Sequence, residues 1–253
     1  MPFTSLHLPN NWYTQHLDVT DSTMLRLREP SLLSRPEEFT LVTTDYQTAG
    51  RGQKGTSWES DAGKNLLFGF TFHPTAISAS KQFALSEVLA LSVADALAAY
   101  TDSITIKWPN DIYWKDCKIC GMLLEHDICG NHIETTITGV GININQIGFK
   151  CDTPNPISLL QITDKPTDRT AILKHILQRF TFYYRKLQLK HFDEVHSLYM
   201  SRLYRHRGLH TYKDQSGLFR AEIVDISPLG VLTLRREDQS LRSYAFKEIS
   251  YII

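Results

Sequence analysis

The sequence predicts an α+β protein: strands and long helices packed around one sheet through residue 203, then a small β unit from 204 to 253. Three observations predict it. Runs of period-2 apolar alternation recur from residue 15 to 140, each bounded by turn formers. Two longer stretches carry a 3.6-residue apolar stripe instead. After Tyr204 the pattern changes to five short β runs in about fifty residues, which suggests a small SH3-like barrel.

In chain order, Gln15 to Val19 forms a short strand, and Thr20 to Thr23 a polar turn that opens a helix at Met24. Asp21, Ser22 and Thr23 are all good N-cap residues; two adjacent hydroxyls also make a small hydrogen-bonding cradle. Glu29-Pro30 ends that helix. Phe39 to Thr44 is a strand from which Asp45, Tyr46 and Gln47 lead the chain away, and Asn65 to Phe72 is another. From about Ser80 to Tyr100 the apolar stripe predicts a long helix. Strands follow at 104–108, 118–127 and 132–140. A helical turn at 157–160 sits among Pro154, Pro156 and Pro166. Helices cover 168–189 and 192–203. The C-terminal turns lie at 214–217, 227–230 and 237–240.

Composition excludes several classes of function. Lys+Arg and Asp+Glu both number 27, so no net positive field draws in nucleic acid. No apolar run reaches the ~18 residues that span a bilayer, and the N-terminal stretch lacks a signal peptide's layout. The expectation is a cytoplasmic protein with reduced thiols. Cys117, Cys120, His126 and Cys129 have zinc-like spacing. The apolar strand through Gly121 to Glu125 would scatter them, however, and Cys151 stays unused, so no metal site is predicted.

Two stretches carry chemistry. Ile104, Ile106 and Trp108 alternate with Thr105 and Lys107, and Pro109-Asn110-Asp111 force a turn. A lone strand lysine is most simply a solvated one, but a lysine fixed beside an enforced turn can also meet developing negative charge. Upstream, Gly50-Arg51-Gly52-Gln53-Lys54-Gly55 offers three glycines in six residues, so the backbone can approach a ligand, with two cations suited to phosphate or carboxylate. The spacing is neither a P-loop nor a dinucleotide fingerprint. Trp58 follows as a base-stacking candidate or a core residue. Gly139 and Gly141 face one side of their strand, leaving backbone against which a flat ligand can lie, or marking a bulge. Asn143 offers the donor and acceptor that adenine requires.

The glycine loop, Lys107-Trp-Pro-Asn-Asp111, Gly121 and Gly139-Val-Gly-Ile-Asn143, with Asp21-Ser-Thr23 upstream, resemble in order and spacing the biotin–protein ligases. That resemblance covers most of the chain. It implies a class II synthetase-like mixed sheet backed by helices (residues 1–203) and an SH3-like domain (204–253). It further implies activation of biotin by ATP, with Mg²⁺, to biotinyl-5′-adenylate, then transfer to a lysine of a biotin carboxyl carrier domain. Carried over residue by residue, Lys107 and Arg51 are catalytic. Ser22, Thr23, Met24, Gln47, Gly50, Arg51, Gly52, Gln53, Lys107, Gly121, Gly139 and Gly141 bind biotin. Arg51, Gln53, Lys54, Trp58, Lys107, Asn110 and Asn143 bind nucleotide.

The chain departs from the family pattern at Met24, where an asparagine is frequent, and at Gln53, where a second arginine is frequent. Only about twenty residues precede Ser22, too few for the winged helix of repressor-type relatives, so a dedicated ligase without DNA binding is expected. A lipoate–protein ligase and a catalytically inactive adenylate sensor are the alternatives. Monomer and weak homodimer both remain open.

Overall fold

Two β-sheets and a helical layer share one hydrophobic core in the computed structural model, which describes residues 8–9, 11–35, 37–53, 57–149 and 155–253. The first sheet has seven strands: β1 (Trp12–Thr20), β2 (Phe39–Gln47), β3 (Leu66–Phe72), β4 (Ile104–Lys107), β5 (Asp111–Trp114), β6 (Cys117–Cys129) and β7 (His132–Ile142). Their order is β1-β2-β3-β7-β6-β5-β4, with β1 and β2 parallel and every other pair antiparallel, so the sheet is mixed.

Period-2 alternation gives this sheet two different faces. On one, Phe68, Phe70 and Phe72 of β3, Leu41 of β2 and Val140 of β7 are buried under α3 (Phe83–Ala98) and α5 (Arg169–Gln188), with α6 (Phe192–Ser201) alongside. Helix α3 is buried nearly all round, as its alanine-rich sequence allows, and a 3₁₀ turn at Ala79–Lys81 leads into it. Helix α5 keeps an inner stripe from Ile172 to Leu187 and starts at Asp168, whose carboxylate accepts the Thr170 amide at 2.9 Å. On the other face, α1 (Thr23–Leu27) and α2 (Pro30–Leu33) cover only one end. There Met24, Leu27 and Leu32 meet Val42 and Ile137, and no described helix covers the rest. A capped turn of helix, α4 (Leu159–Thr163), follows the sheet. None of the described helices is long and apolar enough to cross a membrane.

The second sheet is antiparallel, β11-β10-β9-β8-β12, from β8 (His210–Asp214), β9 (Gly217–Ile226), β10 (Leu232–Arg236), β11 (Leu241–Tyr244) and β12 (Ser250–Tyr251). Among the described residues no pairing of β11 with β12 closes it into a barrel. It is held against the first unit at several points. The Leu203 segment runs beside β4: the Ile106 amide donates to Arg202 O at 2.9 Å, and the Tyr204 amide donates to Ile106 O at 2.7 Å. The β9–β10 turn docks through Gly230, whose carbonyl accepts the Trp108 indole N–H at 3.0 Å. Gly230 has φ +84°, and a Cβ there would stand 2.6 Å from the Phe83 ring, so only glycine fits. Finally, His196 of α6 bridges Glu87 of α3 (2.7 Å) and Asp225 of β9 (3.1 Å). The bond to buried Glu87 pushes the imidazole up to about 9, while burial raises the Glu87 carboxyl as well.

Three sequence expectations need correction. Asp45, Tyr46 and Gln47 continue β2 rather than leaving it, pairing as far as Gln47 with Thr20. Asp111 to Trp114 is a strand the sequence did not announce, because Asn110-Asp111 read as a turn, while Asp111 already pairs with Lys107 and Gly121. The helix expected from Ser80 starts as an α-helix only at Phe83.

Candidate active site

The uncovered face of the seven-stranded sheet opens into a cavity of about 930 Å³ whose far wall is the segment from Phe246 to Tyr251. Lys107 ends β4 and, with Thr105, lies on the sheet face opposite buried Ile106. Register places Asp111 directly opposite Lys107, and Tyr113 diagonally across from it on the same face. The Lys107 ammonium donates to the Tyr113 hydroxyl at 2.8 Å. Burial lowers its pKa; Asp111 works against that, while Lys118 and Arg205 reinforce it. Lys118, projecting from β6, is ion-paired to Asp111 at 2.7 Å. Among the described residues the pocket lining holds three ammonium groups, of Lys107, Lys118 and Lys247, and one carboxylate already engaged, a surplus of positive charge suited to an anion.

The rest of the motif is fastened by its neighbours. The Trp108–Pro109 peptide is cis. Asn110 holds the turn to β6: its side-chain amide donates to the Met122 carbonyl, and the Met122 amide donates to Asn110 O at 2.9 Å. Asn110 lines the cavity, with one of its two amide hydrogens given to backbone.

At the other end, Ser22 stands at the N-cap of α1 without making the cap hydrogen bond, so its buried hydroxyl is not consumed by helix initiation. Thr23 donates both its amide (2.8 Å) and its hydroxyl (3.2 Å) to Gln47 Oε1, which ties the α1 turn to the end of β2. All three line the cavity.

The glycine face behaves differently from the sequence expectation. Gly69, Gly139, Gly141 and Gly121 are cross-strand neighbours on β3, β7 and β6. Most of the space they free is filled by the protein itself. A Cβ at Gly139 would lie 2.7 Å from the Met24 thioether; one at Gly141 or Gly121 would lie 2.4 or 2.9 Å from the Trp58 indole. The flat group lying on this backbone is thus Trp58, with Lys118 Nζ 5.9 Å from its ring. Met24, the departure noted beside the Ser-Thr pair, packs on Gly139 as a flexible apolar side chain can and an asparagine could do only by burying its amide.

Arg51, Gly52 and Gln53 line the cavity mouth, Arg51 exposed, and Arg51 bridges to Ser57. Gly50 does not line it. Its carbonyl accepts the Trp58 amide at 3.0 Å, and a Cβ there would stand 2.5 Å from the Trp58 carbonyl, so it closes the loop's base. Asn143 is also set apart. It is buried beside the cavity, not in its lining, and its amide donates to Ile157 O at 3.2 Å. Lys54 lies outside the described residues. Cys117, Cys120 and Cys129 are spread along the thirteen residues of β6, and the His126 ring bonds Thr136 at 3.0 Å. Sequence reasoning missed Lys118, Tyr113 and the far wall, Phe246 to Tyr251; none of these stands in a local motif.

Comparisons with known proteins agree on a family. Residues 16–143 match the model of the Biotin/lipoate A/B protein ligase family. The chain is 31% identical over 243 residues to the bifunctional ligase/repressor BirA of Bacillus spizizenii, covering 91% of this chain and 73% of that protein. It is 29% identical over 171 residues to the biotin–[acetyl-CoA-carboxylase] ligase of Mycobacterium tuberculosis, covering 65% and 62%. Among solved structures, the biotin protein ligase of Aquifex aeolicus in complex with biotin and ATP superposes with a TM-score of 0.77 at 28% identity, over 94% of this chain and 97% of that one.

Proposed function

Because the chain belongs to the biotin/lipoate A/B protein ligase family, we propose that it activates biotin with ATP and transfers the biotinyl group to a lysine of a biotin carboxyl carrier domain. In the first step a carboxylate oxygen of biotin attacks the α-phosphorus, the bond to the bridging oxygen breaks, and pyrophosphate leaves. In the second the neutral acceptor amine attacks the acyl carbon, AMP departs from the tetrahedral intermediate, and the amine gives up a proton.

The observation that carries this reading is the placement of Lys107. Its half-buried ammonium faces a cavity whose one end carries buried Ser22 and Thr23 hydroxyls, and whose mouth carries Arg51 and Gln53. A cation held there is matched first to charge on the α-phosphoryl group and then to the acyl oxyanion. Ser22, Thr23 and Gln47 would receive the polar ring of biotin, and Met24 over Gly139 would wall its apolar chain. Arg51 would bind carboxylate and phosphate, and the free face of Trp58 would take adenine. A loop held over the adenylate would also exclude water from its acyl phosphate. Mg²⁺ would accompany the nucleotide. Among the described residues Asp111 is the one carboxylate in the lining and is paired to Lys118, so those side chains do not make a metal site there and no step is assigned to the ion.

The test supplies the purified protein with ATP, a carrier domain, and either biotin or lipoate. Biotin-dependent pyrophosphate release and carrier labelling are expected; lipoate labelling points to the other branch of the family, and release of neither to a binding protein. Lys107→Ala should lower the adenylation rate ~10²–10³-fold, the usual loss of one such electrostatic stabiliser. An unchanged rate in that variant removes Lys107 from the mechanism.

A further inference from the structure

The wall opposite the glycine face belongs to the second sheet, and one of its side chains reaches Lys107. The ammonium lies 4.6 Å from the centre of the Tyr113 ring and 5.1 Å from that of Tyr251, on β12. Tyr251 is packed in turn on Tyr212 of β8 at 5.0 Å and on Tyr204 of the connecting segment at 6.1 Å. Tyr204 meets Tyr113 at 5.4 Å, so an unbroken cluster of rings joins β5 to the second sheet around the lysine stem. The Tyr251 hydroxyl is buried without a hydrogen-bond partner, so its ring and not its oxygen makes the contact with the cation.

We propose that Tyr113 and Tyr251 are positioning residues that clamp the Lys107 ammonium, which makes the second sheet a working part of the site. The inference rests on the reading of Lys107 given above. A lysine stem has four rotatable bonds, and its compact charge is not oriented by shape. Here the Tyr113 hydroxyl accepts one of its three N–H donors, the Tyr251 ring attracts the charge, and the remaining donors are left for a ligand. The charged groups facing Lys107 are Asp111, Lys118 and Arg205; the two cations repel it, and Asp111 is shared with Lys118. Burial also disfavours the charged form. Tyrosine answers both without adding negative charge. A carboxylate in its place would cancel the field intended for phosphate, whereas a neutral ring stabilises the ammonium and leaves that field intact.

The clamp predicts a pH signature. Groups that favour the charged lysine raise its pKa, so removing them makes Lys107 deprotonate at lower pH. Biotin-dependent exchange of pyrophosphate into ATP, followed against pH in the full chain, reads this as the alkaline limb of the rate. Tyr251→Leu should lower kcat about tenfold, the scale of a desolvated cation–π contact. It should also move the limb down by about one pH unit, the same free energy. Tyr251→Phe, which keeps the ring, should restore both. Tyr113→Phe, which loses the acceptor, should move the limb the same way. The direct readout is the pH dependence of Lys107 acylation by acetic anhydride, quantified by peptide mass spectrometry on the same proteins without substrates. If wild type shows no exchange, the functional reading fails, and the acylation series still tests the clamp. A Tyr251→Leu or Tyr113→Phe protein whose Lys107 titrates as in wild type overturns the proposal. So does a Tyr251→Phe protein that fails as Leu does. If Tyr251→Leu does not fold, Tyr113→Phe and Tyr251→Phe decide alone.

Discussion

On the helix side of the seven-stranded sheet, Phe70 and Phe72 of β3 meet Phe180 of α5 at 4.7 and 5.2 Å between ring centres, with Tyr184 a further 5.2 Å from Phe72. One residue out of phase, the same strand turns Leu67 and Gly69 to the other side, where Gly139, Gly141 and Gly121 continue the row. One face is filled by the sheet's own large side chains. The other has its volume removed and then supplied from elsewhere, by Met24 of a short helix and Trp58 of a loop. A face packed by regular elements against regular elements is fixed by the fold. A face packed by single side chains from connecting segments can be altered at low cost to the fold, which is where a binding surface can be adjusted without unfolding the protein.

The largest effect that separates the two faces is expected from Phe180→Ala. Phe180 is fully buried and touches Phe39, Phe70, Phe72 and Tyr184. Truncation should cost about 3–5 kcal/mol and lower Tm by roughly 6–20 °C for a chain of this size. Measured well below that Tm, the KM values for biotin and ATP should stay at wild-type level. A KM that rises while the protein is still folded would show that the helix side shapes the cavity after all.

Gly141→Ala probes the other face, with a smaller effect of opposite kind. The added methyl would stand 2.4 Å from the Trp58 ring, and overpacking of this sort costs about 1–3 kcal/mol. Because the indole hangs from a loop, it should move and the strand stay, so thermal stability should fall little while the KM for ATP rises about tenfold. In a Trp58→Ala background the same substitution should change nothing further, since the group it displaces is gone. Additive effects in that cycle would mean that Gly141 acts on the strand itself and not through the indole.

The sequence disclosed the two faces unevenly. The helix-side stripe and the strands were legible because alternation and the 3.6 period are local, and Lys107 and the Arg51 loop because each sits in a short run with its own turn chemistry. The glycines were legible as a bare strip, but not the side chains that cover it: nothing near Gly141 names Trp58 as its partner. Asn143 reads as ligand-facing because it is a polar residue after a glycine strand, but its bond to Ile157 O, from the next segment, was not legible. Tyr113 sits in a strand masked by its preceding Asn-Asp. Tyr251 reaches the lysine only through the docking of the second sheet at Gly230 and His196, contacts between remote segments that no local pattern encodes.

The smallest expected effect concerns Gln53, which lines the cavity mouth beside Arg51 where related sequences frequently carry a second arginine. An amide in that place turns a charge-assisted hydrogen bond to phosphate into a neutral one. Bonds of the first kind are worth ~1.5–3 kcal/mol and of the second ~0.5–1.5, so the difference is about 1 kcal/mol, several-fold in affinity. Lys54, the neighbouring cation in the sequence, can cover the same phosphate instead, and the two arrangements respond differently to substitution. With Gln53 on the phosphate, Gln53→Arg should slow dissociation of biotinyl-adenylate several-fold, and Lys54→Ala should do little. With Lys54 on it, Gln53→Arg should be nearly silent and Lys54→Ala should speed dissociation. Rates of adenylate release from the three proteins, measured by chase with excess biotin, separate them. If neither substitution moves the rate, this part of the loop does not touch the phosphate, and Arg51, Lys107, Lys118 and Lys247 are the described cations of the cavity that can hold it.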